Sequence, residues 1–451
     1  MIHSYKLNGL NIVLDTMSGS IHVVDEVAFD VINMYEHAAT EDIIARITTD
    51  FGIDESEVLE IIDDIEELKR SGKLFSEGER PQKANSEATP LKALCLNVSH
   101  ACNMRCGYCF AGQGEYGEAG QSLMPLETGK RAIDFLIENS GERRNLDVDF
   151  FGGEPLLNWD VMKKIVEYAR KIEVEHDKNF RFTLTTNGLL IDDDVIEFTN
   201  EHMYNVVLSL DGTAETNDFM RKLTNGQGSY DTIMPKLKKL VDARGGKGYY
   251  IRGTFTRHNV DFVDDILHIA DLGFRELSME PVVAPRDKDY ALGEADLEKL
   301  SAQYERLATE MLKREKEGRG FSFYHYTLDL EGGPCLYKRI AGCGVGTEYL
   351  AVTPNGDLYP CHQFVGNDDF VMGDVWRGVD NDKLRKDFSE RDIYTIPECA
   401  DCWAKMYCSG GCAANSFHEA GSINGVYKLG CELFKKRMEC AVMMQVVRVL
   451  A

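Results

Sequence analysis

The sequence predicts an α/β protein: a partial (β/α)6 barrel, set between a small N-terminal domain and a cysteine-rich C-terminal domain. Three observations predict it. Between residues 91 and 318, six strand-like runs alternate with helical patterns, which implies a parallel sheet with right-handed crossovers. Ahead of them, residues 1–80 read as short strands and then three helices. Behind them, residues 319–451 hold nine of the chain's 13 cysteines.

Length and charge bound the rest. A chain of 451 residues has room for two or three domains. Its net charge of −25 argues against nucleic acid or an anionic membrane as partner. The N-terminus shows no signal-peptide pattern, and no apolar run is long enough to span a bilayer. A cytoplasmic location is expected. Thiols stay reduced there, so clustered cysteines point to metal ligation rather than disulfides.

In the N-terminal domain, residues 5–14 read as a hairpin turning at Asn8-Gly9. Ser18-Gly19-Ser20 makes a second turn into Ile21-His22-Val23-Val24. The clearest helix carries Val58, Ile61, Ile62, Ile65 and Leu68 on one face. The order suggests a winged-helix shape. Residues 1–80 hold 6 Lys/Arg against 18 Asp/Glu, a net of −12, so they would repel DNA. Residues 78–90 hold few apolar side chains and read as a linker, giving domains at 1–80, 91–318 and 319–451 with 81–90 between.

The expected barrel strands are 94–99, 146–151, 180–186, 204–210, 249–255 and 275–282, with helices such as 160–172 and 230–243 between them. Six units are too few for the closed eight-stranded barrel. Chemistry belongs at the C-terminal ends of such strands. The first strand runs directly into Cys102, Cys106 and Cys109, a C-x3-C-x2-C loop. A cubane iron–sulfur cluster needs four ligands. Three thiolates from one loop leave one iron for something else. A zinc site is the alternative, although zinc favours paired C-x2-C units.

This loop resembles that of the radical S-adenosylmethionine (SAM) superfamily, in which SAM chelates the open iron; Tyr108, before the last cysteine, fits the same family. The resemblance extends to other strand ends. Gly152-Gly153-Glu154-Pro155 follows the second strand, and its two glycines let backbone approach a ligand closely. It resembles the GGEP motif that holds the SAM amino group. Ser209 ends the fourth strand, and Arg221 follows. In relatives with this pattern the corresponding Ser and Arg contact the carboxylate and ribose side of SAM, and a guanidinium suits a carboxylate. The alternative for Arg221 is a surface ion pair. Val282 and Thr185-Thr186-Asn187-Gly188 end further strands and are candidates to line the adenosine pocket.

The tail holds Cys343, Cys361, Cys399, Cys402, Cys408, Cys412 and Cys431. This series resembles the SPASM extension of radical SAM peptide and protein maturases, which carries two auxiliary [4Fe–4S] clusters. The alternative is a four-cysteine zinc ribbon, which would leave thiols unexplained. The family pattern assigns Cys399, Cys402, Cys408 and Cys431 to one cluster. It assigns Cys343, Cys361 and Cys412 to the other. That second cluster is one thiolate short, so either its fourth site is open to a substrate Cys or Cys335 completes it. Cys95 and Cys440 are expected to pack as small hydrophobes.

The resemblance implies SAM and three [4Fe–4S] clusters as cofactors, and no catalytic residue beyond the SAM cluster and SAM. The reduced cluster would cleave SAM to a 5′-deoxyadenosyl radical that abstracts an unactivated hydrogen. An external donor of flavodoxin or ferredoxin type would supply the electron. The N-terminal domain resembles the element that binds the leader of a ribosomal precursor peptide by β-augmentation; a plain structural cap is the alternative. The whole most resembles the thioether-forming maturases of sactipeptides, in particular those of six-cysteine (SCIFF) peptides. Their reaction joins a Cys sulfur to an acceptor-residue carbon. Anaerobic sulfatase maturases carry an Asp directly after the cysteine matching Cys361, and here that position is His362. Sulfatase-maturase-like oxidation, carbon–carbon crosslinking and epimerisation are alternatives, as is a three-cluster electron-transfer protein, which would need no SAM pocket.

Overall fold

The computed structural model describes residues 1–77, 89–117, 121–328 and 336–451. Most of the expected linker and the whole of Cys335 lie outside them.

The chain opens with a three-stranded antiparallel sheet, β1 (Ile2–Leu7), β2 (Leu10–Asp15) and β3 (Ile21–Val24). Asn8 and Gly9 close the first hairpin at φ of 51° and 73°, the left-handed pair that matches strand twist. Helices α1 (Glu26–Met34), α2 (Thr40–Phe51) and α3 (Glu55–Arg70) follow. Val58, Ile62 and Ile65 of α3 are buried against Phe29, Ile43 and Ile47, with Ile61 and Leu68 at the margin. The opposite side of this unit is not free: Leu7 and Ile12 belong to the core of the main body.

The main body alternates as expected. It contains β4 (Ala93–His100), β5 (Ser122–Leu123), α4 (Leu126–Asn139), β6 (Asn145–Gly152), α5 (Trp159–Ile172), β7 (Asn179–Thr186), α6 (Asp193–His202) and β8 (Met203–Ser209). Then come α7 (Ala214–Met220), α8 (Tyr230–Ala243), β9 (Tyr249–Phe255), α9 (Val263–Asp271), β10 (Glu276–Pro281) and α10 (Leu297–Lys316). Strands β4, β6, β7, β8, β9 and β10 lie side by side and parallel, and these are the six the sequence predicts.

The sheet does not stop there. The segment after α10 adds a parallel strand to each edge: β11 (Ser322–Phe323) beside β10 and β12 (Tyr349–Val352) beside β4. Antiparallel β13 (Asp357–Tyr359), β14 (Gly373–Asp374) and β15 (Gly378–Val379) continue outward from β12. Runs of two to four residues are too short for alternation to register in sequence. The tail finishes with α11 (Leu336–Ala341), α12 (Asp382–Glu390), α13 (Lys405–Cys408), α14 (Ala413–Ala420) and α15 (Lys428–Leu450), and α15 packs along α10 and β1.

The two faces of the sheet differ in kind. Leu94, Leu96 and Val98 of β4, with Val148, Phe182 and Val206, face the helices and build the main core with side chains such as Ile133, Ile165 and Leu237. The opposite face carries polar residues in register, Asp147 across from Arg181, Asp149 across from Thr183, and Ser278 across from Arg252.

Candidate functional site

The cysteine loop leaves the C-terminal end of β4 and is pinned from two sides. Arg105 N and Gly107 N donate to the carbonyls of Lys222 and Met220, each at 2.8 Å, so the loop is zipped to the segment that carries Arg221. On the other side, Gly153 N donates to Ser99 O and Glu154 N to Ala101 O, again at 2.8 Å. A Cβ on Gly152 or Gly153 would collide with those two carbonyls. The glycines are expected to let backbone approach a ligand; what they approach here is the cysteine loop itself.

Backbone N–H groups face two thiols of this loop. Met104 N points at Cys102 Sγ (3.4 Å) and Gln113 N at Cys109 Sγ (3.3 Å). Burial pushes the Cys102 thiol up to about 11 and the Cys106 thiol up to about 12. Left alone they hold their protons, and a metal must displace them. Among the described residues, no three His, Cys, Asp or Glu side chains converge on the position of a single ion. Three thiols spread over one loop fit the faces of a cluster better than a mononuclear zinc.

Around the loop lies a buried polar network. Tyr108 Oη donates to Asp211 Oδ2 at 2.7 Å, and Arg221 donates to Tyr108 Oη at 3.3 Å and to Ser209 O at 3.2 Å. Arg221 is 5% exposed and its Nε has no partner. It is therefore no surface ion pair. Burial opposes its charge, yet Tyr108, Cys106 and Asp211 hold its pKa above the usual arginine value. Asp211 sits within the Ser209 motif and was passed over in the sequence. It is the acceptor that anchors Tyr108, and it also takes Thr254 N at 3.0 Å. The unpartnered Arg221 Nε is a donor that a SAM carboxylate would satisfy.

Glu154 is fully buried. Its carboxylate accepts from Leu156 N (3.0 Å), Thr186 Oγ1 (2.8 Å) and Asn187 N (2.8 Å). Burial pushes it up to about 6, against the pull of those donors. Asn187 Nδ2 in turn donates to Asn103 Oδ1 at 2.7 Å, tying the end of β7 to the cysteine loop. Val282 lies just past β10, buried, with its N–H on Phe255 O.

The tail thiols fall into two groups. Cys412 and Cys343 act electrostatically on the Cys361 thiol, and Cys431, Cys399 and Cys402 on the Cys408 thiol. Burial pushes the Cys361 and Cys408 thiols each up to about 12. Cys343 and Cys412 reach the protein surface as residues, while burial pushes the Cys412 thiol up. Cys95 and Cys440 are buried among apolar side chains, Cys95 in the same packing cluster as Cys361.

His362 gains a place the sequence did not give it. Its ring lies 4.7 Å from that of Phe151 at the end of β6 and 5.7 Å from Phe110 just past the cysteine loop. Burial pushes its pKa down to about 4, which keeps it neutral, and its Nδ1 has no partner. The tail thus reaches over the strand ends beside the first thiol group.

Residues 96–268 match the radical SAM superfamily, and residues 343–403 match the SPASM iron–sulfur cluster-binding domain. A cysteine-type anaerobic sulfatase-maturating enzyme of Clostridium novyi is 27% identical, over 77% of this chain and 94% of its own. The radical SAM cyclopropyl synthase TigE of Paramaledivibacter caminithermalis is 23% identical, over 93% of this chain and 90% of its own. Among solved structures, native anSMEcpe with bound AdoMet shares the fold with a TM-score of 0.65 at 20% identity, covering 80% of this chain and 99% of that one. Streptococcus suis SuiB bound to S-adenosylmethionine shares it with a TM-score of 0.52 at 17% identity, covering 94% and 97%. Both domain matches support SAM and iron–sulfur clusters as cofactors. The chain carries a radical SAM domain followed by a SPASM domain, and it is homologous to sulfatase maturases and to a radical SAM cyclopropyl synthase.

Proposed function

We propose that this protein is a radical SAM peptide maturase that forms a thioether between a Cys sulfur and an acceptor-residue carbon of a ribosomal precursor peptide. The observation that carries the reading is the group Cys343, Cys361 and Cys412: three cysteines, two of them at the protein surface. They would hold a cluster with room for a substrate thiolate as fourth ligand. Coordination favours the deprotonated thiol, and the same cluster would accept the one electron released when that sulfur bonds to the carbon radical left by hydrogen abstraction. Cys399, Cys402, Cys408 and Cys431 would hold a second cluster and Cys102, Cys106 and Cys109 the SAM cluster, three in all.

When bound, SAM and its cluster supply a radical able to take hydrogen from carbon. The chain supplies the surroundings. Tyr108, Gly152, Gly153, Glu154, Ser209, Arg221 and Val282 form the SAM pocket, with Asp211 holding Tyr108 in place. Phe110, Phe151 and His362 exclude water from the strand ends. Residues 1–80 form a winged-helix-like domain that receives the leader, with β3 as one edge of its three-stranded sheet. An external flavodoxin- or ferredoxin-type donor supplies electrons, and the protein works in the cytoplasm; no described helix is long and apolar enough to cross a membrane.

Sulfatase-maturase-like oxidation is the second reading, favoured by the Clostridium novyi relative. Two points weigh against it. His362 stands where those enzymes carry Asp. Moreover, a cyclopropyl synthase and the solved structure of SuiB each match more than nine-tenths of this chain. Mass spectrometry decides. The reconstituted protein, SAM, a reductant and a Cys-rich precursor peptide should yield a product lacking two hydrogens per crosslink, with the Cys resistant to alkylation. A product whose lost hydrogens leave every thiol alkylatable, or an aldehyde in place of a Cys, would reject the thioether.

A further inference from the structure

Arg391 follows α12 and is 5% exposed. Its Nε donates to Ile423 O at 2.7 Å, and an NH2 group donates to Gly410 O at 2.6 Å and Gly411 O at 3.4 Å. Those carbonyls belong to an unusual stretch. Ser409, Gly410 and Gly411 are consecutive and left-handed, at φ of 60°, 81° and 68°. They are the three residues between Cys408, which belongs to one thiol group, and Cys412, which belongs to the other. One guanidinium therefore braces the segment where the chain crosses between the two groups.

The charge of this side chain is the unexplained part. No carboxylate among the described residues pairs with it. A buried cation costs several kcal/mol unless an anion answers it. Burial works against its charge, and the groups that work for it are Cys412, Cys343, Cys399 and Cys408. Two of these come from each thiol group. Neutral thiols do not balance a guanidinium; thiolates holding clusters do.

We propose that Arg391 is the shared counter-cation of the two auxiliary clusters, a positioning residue that raises the reduction potential of both. The proposal rests on the reading that both thiol groups hold clusters. Reduction adds negative charge to a cluster, and a fixed cation in a poorly screened interior favours the more negative state. Because the guanidinium holds the carbonyls between Cys408 and Cys412 and acts on cysteines of both groups, one substitution should move both potentials together. A residue that only braced Gly410 and Ile423 would move neither.

The test is an EPR-monitored redox titration of the full-length chain carrying Cys102→Ala, Cys106→Ala and Cys109→Ala, so that only tail clusters give signal. Arg391→Gln keeps a donor and removes the charge. It should lower the reduction equilibrium constant of both clusters at least about tenfold, which is about 59 mV for one electron. Arg391→Lys should stay within about threefold of the parent. Unchanged potentials in the Gln variant overturn the proposal, as does a shift in one cluster alone. If the Gln variant loses a cluster, the Lys variant decides. Retention of both clusters at parental potentials supports the charge, and loss in Lys as well assigns Arg391 to shape. A parent protein whose iron content matches the first cluster alone removes the underlying two-cluster reading instead.

Discussion

His3 stacks on Trp403, ring centroids 3.8 Å apart and planes 7° from parallel. The same imidazole is hydrogen-bonded to Glu439 at 3.0 Å, and Tyr5 Oη donates to Glu439 O at 3.0 Å. Trp403 directly follows Cys402. The N-terminal sheet is thus seated on the tail at one of its thiol groups.

Trp403→Ala should loosen that seat. An aromatic pair contributes about 0.5–1.5 kcal/mol beyond the area it buries. Limited proteolysis should show residues 1–77 released while the main body stays intact. Trp403→Phe should restore most of the protection. Equal cleavage rates for parent and Trp403→Ala would show that the contact holds nothing.

Removing the first thiol group isolates its role. The Cys102→Ala, Cys106→Ala, Cys109→Ala variant should lose SAM cleavage to 5′-deoxyadenosine. It should also lose about one third of its iron, one cubane of three. SAM cleavage at the parental rate in this variant would end the radical reading.

Arg221 and Tyr108 separate by magnitude. Arg221→Gln leaves Asp211 buried without its cation and should cost about 3–5 kcal/mol by chemical denaturation. Tyr108→Phe removes one hydrogen-bond donor from Asp211 and should cost about 1–3 kcal/mol. Both should weaken SAM binding by calorimetry, the arginine more. A smaller loss for Arg221→Gln than for Tyr108→Phe would place the charge balance of this network elsewhere.

Asp149 makes stability depend on pH. It sits on β6 opposite Cys95 and Thr183. Burial, helped by the Asp147 carboxylate and opposed by Thr183, pushes it from 3.8 up to about 6. The folded state then binds this proton more tightly than the unfolded state. Its stabilising contribution is whole below about pH 4 and is lost as pH rises through about 6. Asp149→Asn should therefore gain roughly 2–3 kcal/mol over the parent at pH 7 and little at pH 4. Denaturant midpoints of the two proteins at both pH values check this, and a constant difference would refute it.

Deleting residues 1–80 should weaken binding of a precursor peptide while SAM cleavage continues. Leu7 and Ile12 belong to the main core, so the truncated chain should also melt at a lower temperature. Fluorescence anisotropy of a labelled leader measures the first effect. Equal affinity of truncated and full-length chains would make this unit a cap.

Much of this was legible in the sequence because spacing carried it. Six apolar runs became six adjacent strands. What escaped detection arises between segments far apart in the chain. His3 and Glu439 are 436 residues apart, and nothing local marks them as partners. Arg391 stands alone in sequence and acquires meaning only from carbonyls at 410, 411 and 423. The edge strands β11 and β12 are too short to announce themselves. Gly152 and Gly153 announced tightness, but not which backbone they would press against.

The pairing of β12 with β4 has a consequence for anyone recombining these proteins. Tyr349–Val352 lies in register with Ala93–Leu96, the strand that feeds the first cysteine loop. Glu348 beside it binds Lys92 at 3.0 Å and also pairs with Arg143. A chimera that takes its tail from a relative inherits a foreign edge for this strand, and with it a new tilt for Cys102, Cys106 and Cys109. Grafts should therefore be cut on the far side of β12, after Val352, so that the host keeps its own strand beside its own loop.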